Sequence, residues 1–232
     1  MNLILDNLTT GYGHKTVSRG LNAELQEGRL TCLLGPNGSG KSTLLRTISG
    51  AQMPLYGSVT KTDSRTLSIV LTSRIDVAQL RAWDVVAMGR HPYTGYFGKL
   101  TAQDDEIIQE AMRTTQTLPF RNRNMTSLSD GEAQKVMIAK ALAQQTPVIL
   151  LDEPSAFLDF PSKVSLMLMM RDLAHNHGKT ILLSTHDVSL ALKTADTLWL
   201  MNTDGSMHTG TAQELTGSGD IATFLGDSAQ YL

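Results

Sequence analysis

The chain has 232 residues, a formal net charge of −2 from 20 Lys plus Arg against 22 Asp plus Glu, and 41% hydrophobic residues. That length buries a core without metal or disulfide staples, and the composition excludes disorder as the main state. No overall basic field exists to hold nucleic acid or an anionic membrane, so partners have to be recognised through local chemistry.

The first residues, Met1-Asn2-Leu3-Ile4-Leu5-Asp6, contain no basic region followed by a long apolar stretch, so no signal peptide is expected. Leu3-Ile4-Leu5 with Leu8 predicts a short strand ending at the turn Gly11-Tyr12-Gly13, and residues 20–25 predict a second strand, an antiparallel opening. Residues 30–34 form a third strand containing the single cysteine, Cys32, which reads as a small buried hydrophobe. It runs into Gly35-Pro36-Asn37-Gly38-Ser39-Gly40, then into a helix from Lys41 that stops at Gly50. From Ala78 to about Ala143 the spacing becomes helical, with segments at 84–88, at 104–115 after a Thr101 cap, and at 132–143. The parallel-sheet pattern returns with a strand at 148–151, a helix over 162–177, a strand at 180–184 and a helix over 188–194. A hairpin around Thr203-Asp204-Gly205 closes the pattern, and no substantial chain is expected beyond it. The Met-rich stretch 166–170 reads as core filler. Every apolar run falls short of the ~18 residues that cross a bilayer, so any membrane span has to come from another chain.

Residues 35–42 fit G-x-x-x-x-G-K-[ST], and they stand between a predicted strand and a predicted helix. Glycines let successive N–H groups turn inward around phosphate oxygens, and the helix N-terminus adds its positive dipole end. Lys41 is placed to reach the β- and γ-phosphates and Ser42 to ligate Mg2+. An ordinary glycine-rich turn accounts for the glycines but not for the Lys-Ser pair that ends them. Val148-Ile149-Leu150-Leu151 closes on Asp152-Glu153, two acids at the end of a buried strand, a costly arrangement unless charge is needed there. Asp152 is read as a holder of the Mg2+ shell and Glu153 as the general base on water. His186, in Ser184-Thr185-His186-Asp187, is a third candidate, at the γ-phosphate.

Together with Leu128-Ser129-Asp130-Gly131-Glu132, which precedes the acid pair in the helical block, these residues resemble the nucleotide-binding subunits of ABC transporters. The tetrapeptide from Ser129 alone would read as a helix cap. The resemblance implies an α/β fold, a P-loop NTPase of the ABC ATPase type with a mixed sheet core, an antiparallel β subdomain and a helical insertion. The core and β parts would occupy about 1–72 and 146–232, and the helical signature part about 73–145. It also implies a head-to-tail homodimer with two sandwiched ATP molecules and two transmembrane permease subunits, fed by a substrate-binding protein. The implied nucleotide contacts are Tyr12, stacking on adenine, with Gly35, Pro36, Asn37, Gly38, Ser39, Gly40, Lys41, Ser42 and Thr43. Ser129, Gly131 and Glu132 of the other chain would close the site, and Asp159, in Ala156-Phe157-Leu158-Asp159, would sense it. Lys41, Glu153 and His186 are the implied catalytic set, with Ser42 and Asp152 on the metal.

Two departures stand out. Where the family carries a Gln after the strand that leads to the helical part, this chain reads Ile69-Val70-Leu71-Thr72-Ser73, and the shorter Ser73 is the counterpart toward Mg2+. The signature carries Asp130 and Glu132 where Gly and Gln are commoner. Residues 85–95 and 100–104 are similar to ATPases that power import of iron-siderophores, haem and cobalamin, which implies a peripheral position on the cytoplasmic face of the inner membrane. Two alternatives remain at this stage: a soluble ATPase of the superfamily acting on nucleic acid or ribosomes, and a nucleotide-responsive regulatory binder. Glu153 argues against the second, and the length leaves no room for the coiled-coil or tandem-cassette forms of the first.

Overall fold

The computed structural model describes residues 2–60, 65–71, 79–96 and 98–226. Its organising strand is β3 (Leu30–Leu34), in which all five residues are buried. A strand without a polar face must be covered on both faces. Within the sheet, β7 (Thr180–Thr185) and β8 (Thr197–Met201) flank β3 edge to edge in parallel. β6 (Val148–Leu151), also wholly buried, pairs in parallel with β7, and β5 (Leu67–Val70) pairs with β6. β9 (Met207–Gly210) runs antiparallel at the far edge, so the order is β5-β6-β7-β3-β8-β9. This is the mixed sheet expected from the sequence.

The smaller antiparallel sheet has the order β2-β1-β4, from β1 (Leu3–Tyr12), β2 (Lys15–Leu25) and β4 (Tyr56–Val59). β2 begins earlier than its apolar residues suggest, because a buried Thr10–Ser18 hydroxyl pair at 2.7 Å satisfies polar side chains inside the ladder. β4 carries no apolar stripe, and the sequence reading omits it. It pairs with β1 through a close approach at Gly57, whose added Cβ would meet the Asn7 carbonyl oxygen at 2.2 Å.

The helical block holds α2 (Ala82–Ala87), α3 (Ala102–Thr114) and α4 (Asp130–Ala143), which bury Val85, Val86, Ile108, Met112, Val136 and Ala139 against one another. Caps shift its boundaries from those expected. Arg81 and Asp84 form a box that starts α2 early, and Ser129 caps α4 so that it begins at Asp130 rather than Glu132. A 3-10 segment, Met88–Tyr93, continues α2 and carries Arg90, whose guanidinium meets Asp104 at 2.8 Å and the Ala143 carbonyl at 2.8 Å. Thr101 donates to the same carboxylate, and that hydroxyl, with the Thr101 N–H and Arg90, holds Asp104 down at about 2 from 3.8.

α5 (Phe160–His175) starts at Phe160, ahead of the expected Ser162, because Asp159 accepts from the Ser162 N–H at 3.1 Å. Met167 and Met170 are buried as expected of filler, whereas Leu168 is exposed. α6 (Val188–Thr194) follows β7. Beyond β9, where the sequence reading placed nothing substantial, α7 (Ala212–Gly217) and α8 (Asp220–Leu225) fold back and bury Leu215 and Ile221 on the central core. Cys32 is fully buried and desolvation pushes its thiol up to about 12, which fits a packing role. Among the described residues, no helix is long and apolar enough to cross a membrane.

Candidate active site

Three adjacent parallel strands, β6, β7 and β3, end on the same edge of the large sheet. Ligands of such sheets bind beyond the carboxyl ends of the strands, and each end here carries a predicted motif. β3 ends at Gly35, β6 at Asp152 and β7 just before His186. An open cleft of about 400 Å3 lies there, lined by Tyr12, Asn37, Lys41, Ser42, Asp152 and Glu153 among others.

α1 (Lys41–Ile48) begins in this cleft, and no side chain caps its N-terminus. Gly40 stands at φ 104°, a left-handed conformation that side chains rarely adopt, and an added Cβ would strike Val17 Cγ1 at 2.4 Å. Gly38, also left-handed, faces open space. The Lys41 side chain is buried, donates to the carbonyls of Gly35 at 2.7 Å and Pro36 at 3.2 Å, and lies 3.5 Å from Glu153 Oε1. Its ammonium therefore closes the loop on itself while bringing positive charge to the cleft. Ser39 Oγ is buried with no hydrogen-bond partner, an orphan that a phosphate oxygen would satisfy. Ser42 and Thr43 follow on the first turn. Thr43 is buried, and its hydroxyl lies 3.2 Å from Tyr12 Oη, holding the half-exposed ring against the cleft and its phenol below the ordinary value.

Asp152 is buried at the end of β6, and its Oδ1 accepts from Ser184 Oγ at 2.8 Å. Glu153 stands at φ 44°, and its N–H donates to the same Ser184 oxygen at 2.8 Å. Ser184 is absent from the sequence-level site. Its signal was a hydroxyl in the otherwise apolar run Ile181-Leu182-Leu183. The acid pair and Lys41 meet as expected. His186 lies exposed just beyond β7 and is not among the residues lining the cleft. Ser73 lies outside the described residues.

The signature residues stand elsewhere. Ser129, Gly131 and Glu132 line a separate cavity of about 260 Å3 with Phe120, Lys135 and Leu158, and it shares no residue with the first cleft. Ser129 Oγ accepts from the Glu132 N–H at 3.3 Å while the Ser129 N–H donates to Glu132 Oε2 at 2.8 Å, a reciprocal capping box. Arg123, absent from the sequence-level site, reaches the same carboxylate at 3.3 Å and also donates to the Ser127 carbonyl. These contacts, the Ser129 N–H foremost, hold Glu132 below its ordinary value. Asp159, the exposed N-cap of α5, is held low by Ser162.

A phosphate loop on β3, an acid pair on β6 and a separate signature helix define an ATP-binding cassette, and residues 18–156 match the ABC transporter family. The chain belongs to that family and is an ATPase of it. It is 42% identical to an ABC transporter ATP-binding protein of Methanocaldococcus jannaschii, over 84% of this chain and 71% of that one. It is 31% identical to the ferric enterobactin transport ATP-binding protein FepC of Escherichia coli K12, over 90% of this chain and 82% of the relative. In structure it resembles an ABC transporter assigned to the metal-chelate type in an inward-facing conformation, with a TM-score of 0.88 and 27% identity, over 96% of this chain and 88% of that one.

Proposed function

We propose that this ATPase powers an importer for iron-siderophore, haem or cobalamin-type cargo, as a homodimer beneath two permease subunits on the cytoplasmic face of the membrane. The observation that carries the engine is the convergence of Lys41, Asp152 and Glu153 on one cleft from two strand ends, those of β3 and β6. The cargo class rests on relatives such as FepC and the metal-chelate type transporter.

Among the described residues, no three His, Cys, Asp or Glu side chains cluster to hold a metal by themselves. Mg2+ suits this donor set as a partner of nucleotide phosphates, with Ser42 and Asp152 as its protein contacts. When bound, it neutralises charge on the phosphoryl oxygens. The chain's own residues do the rest. Lys41 and the uncapped N-terminus of α1 hold the phosphates, and Glu153 takes the proton of the attacking water. Tyr12 offers its ring to the adenine and His186 attends the γ-phosphate.

Ser129, Gly131 and Glu132 line a cavity apart from this cleft, so the closed site takes them from a second copy, with Asp159 beside them. The helical part, about 73–145, is the lever that closure moves. The test is co-expression with a metal-chelate type permease. Membrane recruitment, ATP hydrolysis stimulated by the permease and uptake of a ferric siderophore are the expected results. Recruitment and stimulation without uptake of a ferric siderophore, haem or cobalamin overturn the cargo class. Nucleic-acid binding without permease association overturns the transport reading.

A further inference from the structure

We infer that Ser184 is a positioning residue of the hydrolytic site: its buried hydroxyl holds the Asp152 carboxylate and the Glu153 backbone at once. This rests on the reading of Asp152 as metal holder and Glu153 as base.

The direction of both bonds is fixed by chemistry. The Glu153 N–H has to donate, so Ser184 Oγ accepts there at 2.8 Å. The one hydroxyl proton is then left for Asp152 Oδ1, also at 2.8 Å, and that oxygen has to accept it. Ser184 is fully buried, so water does not substitute for either partner. The placement follows from register. Leu151 pairs with Leu183 across β6 and β7, which sets Ser184 beside the next residue, Asp152.

Glu153 needs this support more than its neighbours do. Its φ of 44° is left-handed, a conformation strained for a residue with a side chain. A buried hydrogen bond to a charged group and a part-buried N–H bond together offset that strain. With the hydroxyl removed, the part-buried N–H loses its partner, Glu153 has reason to leave the left-handed region, and its carboxylate swings from the place where it faces Lys41. Ser184 also sits two residues before His186, so one strand end carries both the brace and the histidine.

The experiment is steady-state ATP hydrolysis by the full chain carrying Ser184→Ala, beside Ser184→Thr and Glu153→Gln. Ser184→Ala is expected to lower kcat at saturating Mg2+ about 10–100-fold and to raise the Mg2+ concentration for half-activation. KM for ATP should stay within about twofold, because the phosphate loop is untouched. Ser184→Thr, which keeps the hydroxyl, should recover most of kcat. A kcat for Ser184→Ala close to wild type at saturating Mg2+, with Glu153→Gln inactive, overturns the inference and leaves the base assignment standing. A Glu153→Gln variant that turns over like wild type overturns the base assignment instead. If Ser184→Ala does not fold, Ser184→Cys, a weaker donor, is read on the same two criteria.

Discussion

Two helices of this chain point their N-termini at places where phosphate is expected, and they are finished in opposite ways. α1 follows a left-handed glycine and has no side-chain cap. α4 is closed by the Ser129–Glu132 box, with Arg123 leaning on the same carboxylate. Free N–H groups and a dipole end attract an anion in either case. At α1 the protein leaves that place for a ligand and adds Lys41. At α4 Ser129 Oγ takes the Glu132 N–H of the first turn, and the Glu132 carboxylate is tethered beside it on the Ser129 N–H. The first site is therefore built in the lone chain, while in the proposed dimer the second would share or exchange its carboxylate for the phosphate a partner brings. The acid at position 132, a departure in sequence, is in structure the returning half of the capping box begun by Ser129.

The sharpest way to break the comparison is to remove the base without touching either helix. Glu153→Gln should lower turnover about 10²–10⁴-fold while ATP still binds. Size exclusion in ATP should then show a trapped dimer, because both anion sites stay intact while the reset step is lost. A monomer under those conditions would deny α4 its role in trans.

Next in size is a matched pair of glycine substitutions. Gly40→Ala forces a side chain into φ 104° and onto Val17 Cγ1 at 2.4 Å, so it should cost on the order of 2–5 kcal/mol of stability. Gly131→Ala meets nothing closer than Ser162 Oγ at 3.5 Å, and inside a helix it should be neutral or slightly stabilising. Thermal unfolding separates the two. The second variant should keep single-chain ATP affinity and lose turnover, since in the proposed dimer only the partner's phosphate would meet the added methyl.

How much of this was legible depends on what chemistry enforces. The phosphate loop was legible because Gly35, Gly40 and Lys41 are required in turn by close approach, by backbone conformation and by charge. The box at α4 was legible too, from Ser-x-x-Glu spacing. Thr211 and Glu214 carry that same spacing at α7, where they form a box that passed unread. Ser184 showed only as a hydroxyl after an apolar run, and its role was not legible, because its partners are chosen by the register of β6 against β7, which no local pattern states. β4 escaped because its pairing rests on a glycine that fits under Asn7 rather than on an apolar stripe.

Lys41→Ala tests the built site alone. It removes an ammonium bound to two loop carbonyls and next to Glu153. A charge-assisted contact of about 1.5–3 kcal/mol corresponds to a loss of roughly 10–100-fold in ATP affinity. Fluorescent-nucleotide titration of the monomer reads it directly, and unchanged affinity would remove Lys41 from the phosphate site.

The smallest effect tests the filled site, through pH. Glu132 is held below its ordinary value, chiefly by the Ser129 N–H. A carboxylate whose value is lowered on folding contributes stability that is complete above its unfolded value, near 4.5, and is lost as pH falls through the folded one. Glu132→Gln keeps the geometry of the box but not the charge. The wild type should therefore be the more stable by a few tenths of a kcal/mol at pH 7, the scale of an exposed dipole interaction, and the gap should close as the pH falls below that window. Urea unfolding at pH 7 and in acid reads this difference. The same substitution should strengthen dimerisation in ATP, because the incoming phosphate no longer competes with a tethered charge. A weaker dimer would mean that Glu132 helps to hold the partner's nucleotide rather than standing in for it.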